Sequence, residues 1–179
     1  MIFNIREENM DFSLSKSVFK LIDQSSLSWA VAKEAHSGQT YGDKPYTYHL
    51  GQVRSAVIKI NYPDNRGVAP YGEEDTYYKL EMVANLHDSE EDTYLTSQDL
   101  LDIGFPEDVV EAVTLVTKKE GVSYKDYLKL LSQNELAWKV KVADTYCNLT
   151  ESMKDGDVKR VRKYSEQLGL LYKFKNWEE

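Results

Sequence analysis

A single cysteine, Cys147, excludes a disulfide within this chain and suits a reducing compartment. No apolar run approaches the roughly eighteen residues a membrane span needs. The opening Met1-Ile2-Phe3-Asn4-Ile5-Arg6-Glu7-Glu8 lacks the order of a secretory signal, so a cytoplasmic protein is expected. Positive charge is also scarce. The 22 lysines and arginines stand against 30 acidic residues, and the resulting charge of −8 opposes non-specific attraction to nucleic acid or to an anionic membrane. Neither is an expected partner. There is no G-x-x-x-x-G-K loop and no G-x-G-x-x-G fingerprint, which leaves no sign of a P-loop or Rossmann nucleotide site. Internal repeats and low-complexity tracts are likewise missing.

What the chain does hold is enough apolar material, 41% hydrophobic over 179 residues, for one well-filled core, so residues 1–179 read as a single domain. Its hydrophobic periodicity is helical almost throughout, and no strand series appears. The expected class is all-α, a bundle of about eight helices with its motif-bearing core at about 26–152 and a last helix at about 157–174. The first two helices are placed at 14–23 and 26–36. The glycines and proline of 38–45 then form a turn-rich loop that delivers the chain to His49. His49 opens a helix carrying Val53, Ala56, Val57 and Ile60. Residues 61–72 are too rich in breakers for a helix and read equally as a lid or as a plain surface loop. Thr96 or Ser97 caps a short helix that Gly104 ends, and Pro106 starts the next, which runs to about Thr117. Residues 118–121 form a break before a helix at 124–131. Another helix follows from about Glu135, and the last carries Val158, Val161, Tyr164, Leu168 and Leu171 on one face.

Two of these stripes carry charge where apolar side chains are expected. Tyr77, Leu80, Val83, Ala84 and His87 recur at helical steps, so His87 points inward, and Asp88, Glu91 and Asp92 follow within roughly 140° of it if the helix continues. Leu136, Ala137, Val140, Ala143 and Cys147 mark the inward face of a later helix that also bears Asp144 and Asn148. Isolated buried carboxylates are too costly to keep ionised, so a bound cation is the economical explanation. His49, His87, Asp88 and Asp144 form a mixed nitrogen and oxygen set suited to a divalent transition metal such as Mn2+ more than to calcium, with zinc left open. Cys147, on an inward stripe, reads as a small core residue. His36 reads as a packing or loop-anchoring residue.

The order His49, His87-Asp88, Asp144 resembles the HD-domain phosphohydrolases. The blocks Ala35-His36-Ser37-Gly38-Gln39, Pro45-Tyr46-Thr47-Tyr48-His49, Leu86-His87-Asp88-Ser89-Glu90-Glu91-Asp92-Thr93, Val116-Thr117-Lys118 and Val140-Lys141-Val142-Ala143-Asp144 are similar to successive blocks of the RelA/SpoT-type alarmone hydrolase domain. That resemblance implies that His49, His87, Asp88 and Asp144 bind Mn2+ and that Glu91 and Asp92 position and activate the attacking water. It also implies that Asn148, with Thr150 nearby, lies on the ribose and 3′-phosphate side of the substrate. Lys44, Lys141 and Tyr46 complete the expected substrate-binding set. The implied reaction removes pyrophosphate from the 3′ position of guanosine tetraphosphate or pentaphosphate, in a stand-alone small hydrolase without a synthetase domain.

The chain departs from that pattern in two places. The loop after Gln39, usually rich in arginine and lysine, keeps only Lys44 as a basic residue, and the stretch between His49 and His87 is longer than usual. Arg54 and Arg66 are the candidates to restore the missing charge. Two other readings stand beside the leading one: a phosphohydrolase of another nucleotide, such as a nucleoside 5′-monophosphate or an NADPH-like substrate, and a catalytically silent nucleotide-binding regulator. A homo-oligomer is left open.

Overall fold

The computed structural model describes residues 12–64 and 67–175. In chain order these form α1 (Phe12–Ala35), a hairpin of β1 (Thr40–Tyr41) and β2 (Lys44–Pro45), α2 (Thr47–Asn61) and α3 (Glu74–Leu86). There follow α4 (Ser89–Asp92), α5 (Ser97–Ile103), α6 (Glu107–Val116), α7 (Tyr124–Leu131), α8 (Glu135–Lys154) and α9 (Val158–Lys175). The class is all-α, as the periodicity implies. Beside the single turn α4 there are eight longer helices among the described residues, and the one sheet is the two-residue hairpin, paired Thr40 to Pro45 and Tyr41 to Lys44.

The middle of the bundle is α3. Every residue from Leu80 to His87 is buried, and α1, α2, α6 and α8 all pack on this segment. A helix buried on all sides belongs at the centre. Its polar residues must therefore find partners on its neighbours. Glu81 accepts from Ser25 Oγ at 2.7 Å and from Arg54 at 2.8 and 3.0 Å, while Asn85 donates to Ser28 Oγ at 2.9 Å. These bonds explain why α1 is one continuous helix and not the two expected at 14–23 and 26–36. Serines in mid-helix usually compete with the backbone for hydrogen bonds, and Ser28 does donate to the Ser25 carbonyl at 2.7 Å, but Ser25 donates to Glu81 and Ser28 also accepts from Asn85.

Other boundaries fall where the local chemistry puts them. Thr96 and Asp99 form a reciprocal capping box on α5, and Gly104 ends it with a left-handed φ of 101° that a side chain would resist. Pro106 stands just ahead of α6 and Ser123 caps α7. Three expectations need correction. The helix through His87 does not continue to Asp92: α3 stops at Leu86, and Ser89–Asp92 is a separate turn. Val158 and Ile60, both placed on inward faces, are 78% and 45% exposed, because each lies at the outer end of its helix. Of the expected α9 face, Leu171 is fully buried, Val161, Tyr164 and Leu168 are half-buried, and Gln167 is buried beside them.

The 61–72 loop leaves the C-terminal end of α2, about 18 Å along the helix from His49 at 1.5 Å per residue, and its Gly67 lines a cleft with Trp29, Arg54 and Glu81. Arg54 turns to Glu81 and not toward the site. Arg66 lies outside the described residues. Among the described residues no helix is long and apolar enough to cross a membrane.

Leu80 is fully buried in α3. Leu80→Ala is therefore expected to lower stability by about 2–5 kcal/mol, read from urea unfolding, and a loss under about 1 kcal/mol would contradict the central place of α3.

Candidate metal centre

Three helices bring the charged stripes to one point. His49 sits in the first turn of α2, His87 and Asp88 form the break after α3, and Asp144 projects from the middle of α8. His49, His87 and Asp144 are 2%, 2% and 6% exposed. Ligand atoms of His49, His87 and Asp88 all lie within 4.8 Å of one another. Asp144 Oδ1 is 3.3 Å from His49 Nε2 and 3.9 Å from His87 Nε2, and Asp88 Oδ2 is 3.0 Å from His87 Nε2 and 3.7 Å from His49 Nε2. Two imidazole nitrogens and two carboxylate oxygens thus converge.

The ring of His87 is held from behind. Its Nδ1 lies 2.8 Å from the Ala84 carbonyl, which can only accept, so Nδ1 carries a hydrogen and Nε2 is left for the centre. That Nε2 is buried and makes no well-aligned hydrogen bond among the described residues, although Asp88 Oδ2 lies 3.0 Å from it. A ring nitrogen facing two carboxylates in this way fits a cation, and the donor set fits a transition metal.

Electrostatics agree with the geometry. Burial pushes the His87 imidazole down, but the Asp88 and Asp144 carboxylates outweigh that and lift its pKa to about 9. Burial alone would raise both carboxyls. The His87 charge holds Asp88 well below the usual carboxylate range, and Lys141 with the two histidines does the same for Asp144.

Each carboxylate is also oriented. Lys141 Nζ lies 2.9 Å from Asp144 Oδ2, and Asn148 Nδ2 donates to Asp144 Oδ1 at 2.5 Å, so Oδ1 turns toward the imidazoles. Tyr46 donates to Asp88 Oδ2 at 2.6 Å and bridges to Asp92 Oδ2 at 3.0 Å. Gln39 donates to the Asp92 carbonyl at 2.7 Å and pairs with His36 Nδ1, whose ring stacks on Tyr46. His36 therefore anchors the loop.

Most of the expected residues meet here: His49, His87, Asp88, Asp144, Asp92, Tyr46, Lys141 and Asn148. Their roles differ from expectation in part. Lys141 and Asn148 are engaged with Asp144, and Tyr46 with the two aspartates. Glu91 is exposed, and its charge reaches Tyr127, which lies near Lys141. Lys44 and Thr150 stand aside: Lys44 Nζ lies 3.9 Å over the Tyr48 ring, and the Thr150 hydroxyl donates to the Tyr146 carbonyl. Tyr48 and Thr150 line a cleft of about 710 Å3 along the α2 and α8 seam, with Gln52, Tyr146 and Cys147. None of His49, His87, Asp88 and Asp144 lines that cleft, so the candidate metal centre lies beside it.

Two residues meet here that the sequence does not tie to the centre: Tyr41, open from the sequence to base stacking or ordinary packing, and Arg160. Tyr41 stacks face to face on His49, and Arg160 of α9 comes close enough to Tyr41 to oppose the rise that burial imposes on its phenol, which still reaches about 12. Tyr41 was legible only as one of 13 tyrosines, and Arg160 carries no local signal at all. Compared with known proteins, the chain matches no family model and no curated protein.

Cys147 is 7% exposed, and burial followed by the Asp144 charge pushes its thiol up to about 12. Its alkylation at pH 8 is expected to run on the order of a thousandfold slower than that of free cysteine, and to recover on unfolding in urea. Fast labelling of the folded protein would contradict the placement of Cys147 as a core residue.

Proposed function

We propose that this chain is a cytoplasmic, metal-dependent phosphohydrolase that acts on a nucleotide phosphate ester. The observation that carries this reading is the convergence of His49 Nε2, His87 Nε2, Asp88 Oδ2 and Asp144 Oδ1 on one buried centre. A phosphate ester repels an anionic nucleophile, so its hydrolysis needs local positive charge and a means of deprotonating water near neutral pH. These four residues would hold Mn2+ or a related ion, which supplies Lewis-acid polarisation of a phosphoryl oxygen and a more acidic water.

The protein's own groups would do the rest. Tyr46 shares its one hydroxyl hydrogen between Asp88 at 2.6 Å and Asp92 at 3.0 Å, which would keep one Asp92 carboxylate oxygen near the centre as a proton acceptor. Glu91, on the same turn, is the second acceptor, and the base role is assigned to the pair. Lys141 and Asn148 hold Asp144 in its ligating orientation. Arg160, beside Tyr41, brings a cation from α9 toward the substrate side.

The substrate first proposed is a guanosine 3′,5′-bis(diphosphate), with release of the 3′-pyrophosphate. This choice rests on the motif blocks around His49, His87 and Asp144. One observation favours the second reading, a nucleotide with fewer phosphates. The hairpin keeps only Lys44 as a basic residue, which lies over Tyr48, and Arg54 is neutralised by Glu81. The rim is therefore poor in free cations for a polyphosphate. A catalytically silent regulator is the less favoured alternative, since Glu91 and Asp92 are both present.

Incubating the Mn2+-loaded protein with a panel of phosphorylated nucleosides separates these readings. Pyrophosphate release from the guanosine polyphosphates supports the first, orthophosphate release from a monophosphate or NADPH-like substrate supports the second, and binding without turnover supports the regulator. His87→Ala and Asp144→Ala are expected to remove both bound Mn2+ and activity. Glu91→Ala should keep the metal and lower turnover by about 10²-fold or more. Parent-rate hydrolysis by Glu91→Ala would withdraw its assigned role.

A further inference from the structure

The two histidines of the centre are held in different ways. His87 has a backbone hydrogen bond on Nδ1, whereas His49 Nδ1 is buried without a hydrogen-bond partner among the described residues. Metal-ligating imidazoles nearly always have such a bond to fix ring and tautomer. Something else must set the plane of His49. Its ring lies parallel to Tyr41, with centroids 4.6 Å apart and planes at 9°, and meets the edge of Tyr46 at 5.9 Å and 78°. Rotation about the ring axis would drive His49 into one of these neighbours.

Tyr41 also acts on a second ligand. Its hydroxyl donates to Asn148 Oδ1 at 2.9 Å, which turns the amide so that Nδ2 faces Asp144 Oδ1. A flipped amide would set two acceptors against each other. The β1 and β2 hairpin makes this reach possible, since Tyr41 pairs with Lys44 across a turn whose Gly42 has φ of 61°. The residue that replaces basic character in this loop is thus in contact with the centre itself.

We infer that Tyr41 is a positioning residue, holding the His49 ring in its ligating plane by stacking and orienting the Asn148 amide toward Asp144 through its hydroxyl. The inference rests on the metal-site reading above for its purpose, though not for its geometry.

The test compares parent, Tyr41→Phe and Tyr41→Leu. Mn2+ affinity is measured by titration calorimetry, and the histidine ring nitrogens and the Asn148 side-chain amide are followed by 15N NMR before metal is added. Tyr41→Leu is expected to shift or broaden the His49 ring signals while leaving those of His87 in place, and to weaken Mn2+ binding about 10-fold or more. Tyr41→Phe should retain the His49 signals and most of the affinity while shifting the Asn148 amide. Parent-like His49 signals and Mn2+ affinity in Tyr41→Leu would overturn the inference. If Tyr41→Leu does not fold, an unmoved Asn148 amide in Tyr41→Phe overturns it instead. A parent protein that binds no Mn2+ would defeat the functional reading, while the His49 and Asn148 signals still judge Tyr41.

Discussion

Buried negative charge is the constraint around which this protein is organised. Removing a carboxylate from water carries a penalty of several kcal/mol even after relaxation, and Asp88 and Asp144 sit together at the junction of α2, α3 and α8. Their neighbours follow from that cost. Lys141 and Asn148 engage Asp144, Tyr46 engages Asp88, and the His87 imidazole is basic because both carboxylates face it. The apolar packing has the complementary task of keeping three helices in register at this point. Val53 on α2, Leu80 and Val83 on α3, and Val140 and Ala143 on α8 are all fully buried, so none of these helices shifts without opening the core.

The break after Leu86 gives this arrangement its chemistry. A straight continuation of α3 would carry Asp92 onward along the axis. Instead the chain turns at His87 and Asp88 and closes a single helical turn, and Asp92 comes under Tyr46 and Gln39. The Asp88 and Asp92 carboxylates are thereby linked through one phenol. Glu91 and Asp92 of this turn are both exposed, and Asp92 is tied to the centre through Tyr46.

Away from the centre, the distribution of positive charge bears on the ligand. Lys141 and Arg54 are committed to acidic partners inside the fold, and Lys44 lies on Tyr48. Arg160 of α9 stands beside Tyr41 and Tyr164, although it also lies 3.8 Å from Asp155. In an acidic protein with so few uncommitted cations around this cluster, the proposed metal would carry most of the attraction for an anionic substrate.

The sequence alone determined the all-α class, the inward stripes through Leu80, Val83, His87, Val140 and Asp144, and the caps at Thr96 and Gly104. Each of these depends on residues three or four positions apart or on one backbone angle, and such relations are written locally. Only the tertiary structure decided that α1 runs unbroken past Ser25, that Arg54 belongs to Glu81, and that Tyr41 stacks on His49 with Arg160 near its hydroxyl. Those partners lie far apart in the chain, and no local pattern records which distant side chain will satisfy a buried polar group. The four ligands stood between these cases: periodicity pointed them inward one segment at a time, but their convergence on a common centre required the packing of α2, α3 and α8.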